Sequence, residues 1–169
     1  MNNHRGKISP GFTIIELVVI LVIIGIVSAV VMVSGSAKSP VRLHAACQKI
    51  AADLRYVQQM AMAEQVRFGL SFNTTNESYF GYRITTSMKA VDPHARKALE
   101  VDIDGMKEFN EVRIAGTNFN NIIEFDSAGR PYNGNGVLLS GEAIVTLHTM
   151  DGLARTVRVE AKTGKVSVQ

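Results

Sequence analysis

The stretch from Phe12 to Val33 carries a single charged side chain, Glu16. As an α-helix it spans roughly 33 Å, enough for a hydrocarbon core of about 30 Å. Burying one ionised side chain in that environment costs at least ~2.5–3.5 kcal/mol on insertion scales. A chain with this segment must therefore place it in lipid or among other helices, and must offset the cost of Glu16.

Three readings of the N-terminus compete. In an ordinary secretory signal, Arg5 and Lys7 form the basic region, and Ser34-Gly-Ser36 before Ala37 supplies small residues for cleavage. Signal cores usually run about 7–15 residues, shorter than this run, and none needs a glutamate. A plain transmembrane anchor is the second reading. The charge rule helps little here: Lys38, Arg42, Lys49 and Arg55 beyond the run outnumber Arg5 and Lys7 before it, which counted alone favours the opposite orientation to the periplasmic domain expected below. Cleavage after Gly11 is the third. Phe12 then becomes a positively charged N-terminus with Glu16 one helical turn along, where the helix dipole favours a carboxylate. Glu16 can pair with the Phe12 ammonium of a neighbouring chain, so a wrong register leaves a buried charge unpaired and the pair enforces stagger.

Gly11-Phe12-Thr13-Ile14-Ile15-Glu16-Leu17, with the basic leader before it and the apolar run after it, resembles the prepilin signature of type IV pilins and type II secretion pseudopilins. The resemblance implies that a prepilin peptidase cuts after Gly11 and N-methylates Phe12. Methylation keeps the amine basic.

Beyond the run, Ser34–Pro40 is a polar break, and Pro40 should kink or restart the helix. Leu43, Cys47, Ile50, Leu54, Val57 and Ala61 then recur at spacings of four and three, one apolar helical face, with Lys49, Asp53, Arg55, Gln58 and Gln59 pointing elsewhere. The methionines at 60 and 62 read as core filler. Alternation from Val66 to Asn73 and a return over 79–86 predict strands, and further strands are expected at 112–115, 122–126, 143–149, 154–161 and 165–168. Residues 87–111 show no period, and 130–136 read as a loop. Removing the leader and the apolar run leaves roughly 130 residues, enough for a hydrophobic core. Without Arg5 and Lys7 the formal charge falls from +3 to +1. The lone Cys47 excludes an internal disulfide.

The helix around 53–65, Phe125-Asp-Ser-Ala-Gly-Arg-Pro131 and Thr163-Gly-Lys-Val-Ser-Val168, in this order, resemble the GspH/FimT family of minor pseudopilins and minor pilins. The fold expected is therefore α+β and pilin-like: one long N-terminal helix, its first half transmembrane, followed by a mostly antiparallel β-sheet domain. The expected organisation is a leader at 1–11, a membrane and filament-core half-helix at 12–37, and a periplasmic domain at 38–169. The resemblance implies a non-enzymatic subunit of the bacterial inner membrane that helps initiate or cap a type II secretion pseudopilus for protein secretion across the outer membrane, with a type IV minor pilin, acting in pilus assembly or DNA uptake, as the alternative. Its partners would be other pilins or pseudopilins, the prepilin peptidase, an inner-membrane assembly platform, and lipid before extraction. A soluble periplasmic binding domain released by signal cleavage is a third, weaker reading.

No catalytic constellation emerges: the chain has neither a Gly-x-Ser-x-Gly elbow nor a phosphate-binding Gly-rich loop. No cofactor is expected. His44 and Cys47 share a helical face, but without a second such pair a packed cysteine and a solvated histidine are the better reading. Asp102-Ile-Asp104-Gly105 hints at calcium, yet the glycine comes too early for an EF-hand, so a solvated acidic loop is preferred and no metal is assigned. Arg155, Arg158, Lys162 and Lys165 cluster near the C-terminus, and some FimT-type pilins bind DNA. Asp151 and Glu160 dilute the cluster, and Arg155 and Arg158, three apart on a strand, face opposite sides. A basic rim is preferred to a DNA site.

Overall fold

The computed structural model describes residues 13–35, 38–93 and 95–169. It forms two units, one ending at Lys38 and the other running from Ser39 to Gln169. The expected single long helix is described as two, α1 (Ile14–Gly35) and α2 (Lys38–Glu64), and residues 36 and 37 between them lie outside the described residues. Side chains of α1 are described from Ile14 to Ser28, about 22 Å of helical rise. Among the described residues no helix is long and apolar enough to cross a membrane. Every described α1 side chain is exposed. Pro40 lies in the first turn of α2, where its missing N–H would have had no intrahelical acceptor.

Among the described residues the second unit holds α2 and nine strands, which share one core. They are β1 (Phe68–Asn73), β2 (Ser78–Arg83), β3 (Glu100–Asp102), β4 (Val112–Thr117), β5 (Ile122–Phe125), β6 (Pro131–Asn133), β7 (Ala143–Thr149), β8 (Ala154–Val159) and β9 (Val166–Val168). The strands form two sheets where the sequence suggested one, in the orders β3-β2-β1-β5-β6 and β4-β7-β8-β9. Every strand pair within them is antiparallel. Period-two patterning aims Phe68, Leu70 and Phe72 of β1 inward, and likewise Ala143, Val145, Leu147 and Thr149 of β7. All six residues of the predicted helical stripe, Leu43 to Ala61, are buried in the same core.

Several expectations need correction. The segment read as irregular holds β3, where Leu99, Val101 and Ile103 are buried and Glu100 and Asp102 exposed. That alternation is present in the sequence but covers only five residues. The stretch read as a loop at 130–136 begins with β6, an edge strand, where a proline is tolerated because one side of the backbone needs no ladder partner. Met60 packs against the core, but Met62 is exposed. Asp53, expected to point away, is buried: its carboxylate accepts the Tyr79 hydroxyl at 2.6 Å and the Lys49 ammonium at 2.8 Å. Burial, then the neighbouring Asp53, pushes the Tyr79 pKa well up, so the phenol stays a donor.

Candidate functional site

Gly11 and Phe12 lie outside the described residues. Thr13 is described, and its hydroxyl accepts the Glu16 amide at 3.3 Å, with Ile14 opening α1 between them. Thr13 is thus the N-cap and Glu16 the third helical residue. Thr-x-x-Glu ahead of an apolar run is a helix-start pattern, and the sequence carries it from Thr13 to Glu16. Glu16 itself is exposed in the first turn, where the unsatisfied amides and the dipole favour a carboxylate. The residue proposed to bind a neighbouring subunit therefore also sits in a position that suits the helix of its own chain.

The three stretches that carried the family resemblance meet in space. Gln58 of α2 donates from Nε2 to the Gly129 carbonyl at 2.8 Å and to the Gly164 carbonyl at 3.1 Å. Gly129 belongs to the β5–β6 turn of the first sheet and Gly164 to the β8–β9 turn of the second, so one side-chain amide ties both sheets to the helix. Arg55 adds a bond from Nη2 to the Val166 carbonyl of the edge strand β9 at 3.0 Å. Gln58 and Arg55, both read as pointing away, are docking groups. Elements of both sheets bond to α2, so its contact arc is wider than the apolar stripe alone suggests.

Each turn is shaped for that contact. Asp126 Oδ1 accepts the amides of Ala128 and Arg130, each at 2.9 Å, and Oδ2 accepts Arg130 Nε at 2.8 Å and the Tyr132 hydroxyl at 3.2 Å. Burial alone would raise the Asp126 pKa; the bonds from Arg130, Ala128 and Tyr132 outweigh it and hold the carboxyl below its ordinary value. Gly164 has φ +66°, and a Cβ there would lie 2.2 Å from the Gly129 carbonyl oxygen and 2.3 Å from Gln58 Nε2. Only glycine fits that approach.

The basic cluster does not converge. Arg155 and Arg158 of β8 lie on opposite faces, as strand geometry requires. Arg155 follows the inward parity of Val157 and Val159 and is exposed at the strand end. Burial pushes the Cys47 thiol up to about 11, and the Arg155 charge, acting from nearby, pulls the other way. Arg158 pairs on the outer face with Glu142 at 3.1 Å. Lys162 is exposed in the β8–β9 turn and Lys165 just before β9. Elsewhere, His44 is exposed while Cys47 is buried, and Asp104 is engaged by Arg113.

No protein-family profile matches the sequence. No curated protein matches it either. Solved structures share its fold. The type IV minor pilin FimU of Pseudomonas aeruginosa aligns with 75% of this chain and 87% of its own, at 12% identity and a TM-score of 0.51. A second crystal form of FimU aligns at 13% identity and a TM-score of 0.51, over 75% and 92%. The minor pseudopilin EpsH of the Vibrio cholerae type 2 secretion system aligns over 76% and 96%, at 8% identity and a TM-score of 0.57. At these identities the likeness is one of fold.

Proposed function

We propose that this chain is a non-enzymatic minor subunit of a pilin-type filament, and that the filament is a type II secretion pseudopilus. The observation that carries the reading is the docking of α2 against two antiparallel sheets, an α+β arrangement like that of FimU and EpsH, behind a helix whose described side chains are exposed and almost wholly apolar. Lipid covers that helix in the inner membrane, and neighbouring subunits cover it in the filament. A prepilin peptidase cuts after Gly11 and methylates Phe12; Glu16 then pairs with the Phe12 amine of an adjacent subunit. The globular unit lies in the periplasm and selects companion subunits, and an inner-membrane assembly platform drives extraction.

A clean deletion in the native host tests the machine, scoring secreted proteins and surface pili in the same culture. Lost secretion with pili intact is the expected result. Lost pili with normal secretion would reassign the subunit to a type IV pilus. Normal secretion and normal pili would remove the reading altogether.

A further inference from the structure

The β7–β8 turn, Met150–Leu153, lies at the end of the globular unit where the chain enters it. The hydroxyls of Thr149 and, more weakly, Ser39, the first residue of the unit, favour the ionised Asp151 in that turn. Thr149 pairs with Val112 at the start of β4, and the adjacent Glu111 meets Arg42 of early α2 at 3.4 Å. The opposite end is marked by Glu64, which closes α2 and meets Arg83, and by Arg67, which lies beside Gly136. With α2 between them, the two ends are about 40 Å apart.

Three apolar side chains are exposed at the entry end. Val41 is 67% exposed, Met150 69% and Leu153 43%. Chain connectivity limits what can cover them. Only three residues of chain separate Gly35, which closes α1, from Ser39, which opens the globular unit. The headgroup layer on each side of a bilayer is roughly 5–8 Å thick. If α1 occupies the hydrocarbon, the entry end of the globular unit is tethered within reach of the lipid surface. Arg155 is exposed near that end and suits anionic headgroups, while Asp151 faces Thr149 and Ser39.

We propose that Val41, Met150 and Leu153 form a lipid-facing edge through which the globular unit rests on the bilayer interface before the subunit is extracted. The proposal rests on the reading of α1 as a membrane segment. It makes the β7–β8 turn a second, shallow membrane contact that must be released when the filament grows.

The chain contains no tryptophan, so a single introduced one reports its own surroundings. Four full-length variants, Met150→Trp, Leu153→Trp, Val22→Trp and Val137→Trp, are reconstituted in vesicles of phosphatidylethanolamine and phosphatidylglycerol with or without brominated acyl chains. Val137 is 59% exposed and follows Gly136 at the far end, so it is matched in exposure but not in place. All four positions are exposed and tolerate the larger ring. The expected result is blue-shifted emission and several-fold stronger quenching for Met150→Trp and Leu153→Trp than for Val137→Trp. Quenching of Val22→Trp alone would place α1 in lipid and overturn the lipid-facing edge. Equal quenching of Val137→Trp would show indiscriminate adsorption and overturn it as well. No quenching of Val22→Trp would overturn the membrane reading and the proposal together.

Discussion

Gln58 donates to two carbonyls from different sheets, so removing its amide leaves both acceptors without this partner. Gln58→Ala should cost about 1–3 kcal/mol, read as a lower urea midpoint. Gly164→Ala should cost more, about 2–4 kcal/mol, because the left-handed backbone and the collision with the Gly129 carbonyl act together. In the double variant the two costs should fall short of their sum, since one of the atoms struck by the new Cβ has gone; strict additivity would show that they do not share a contact. Asp126 predicts a pH dependence. Its folded pKa lies below the unfolded value of about 3.9, so its stabilising contribution is complete above that pH. It is lost as pH falls through the folded pKa. Asp126→Asn should therefore flatten the acid limb of the stability profile below about pH 4. An unchanged limb would assign acid unfolding to other carboxylates.

At the scale of elements, α2 is held by its apolar stripe and by polar bonds on both flanks. Leu54 is fully buried in that stripe, and Leu54→Ala should destabilise by about 2–5 kcal/mol. Gln59, five residues on and exposed, should change stability by no more than about 0.5 kcal/mol when replaced by alanine. Thermal melts of the two variants make the comparison; similar losses would mean that α2 packs in a different rotation. The stripe was legible because 3.6-residue periodicity depends only on local geometry. The polar flanks were not, since Asp53, Arg55 and Gln58 look like any solvated face until both sheets are in place. Glu100 and Asp102 hid β3 in the same way, their charges masking the alternation of Leu99, Val101 and Ile103.

For the whole molecule, the proposed function turns on the N-terminal segment. Mass spectrometry of the mature protein should find a chain beginning at a methylated Phe12; one beginning at Ala37 would make the apolar run a discarded signal. Glu16→Ala should leave membrane insertion intact and reduce incorporation into filaments, assayed by co-purification with companion subunits. That variant also removes a carboxylate from the first turn of α1, which costs about 0.3–1 kcal/mol of helix stability. Glu16→Gln removes the charge but retains hydrogen-bonding capacity, and normal incorporation of that variant would dismiss the intersubunit pair.

The apolar run, the helical stripe, most strands and the turn at Lys162–Gly164 could be read from the chain because each depends on neighbours three or four residues away at most. The division into two sheets, the burial of Asp53 and the bridging role of Gln58 could not. They arise where segments far apart in sequence, such as Gln58 and Gly164, are brought within hydrogen-bond distance, and no local period records that meeting. In the basic cluster near the C-terminus, strand parity alone already set Arg155 and Arg158 on opposite faces, and only the pairing of Arg158 with Glu142, sixteen residues away, needed the tertiary structure.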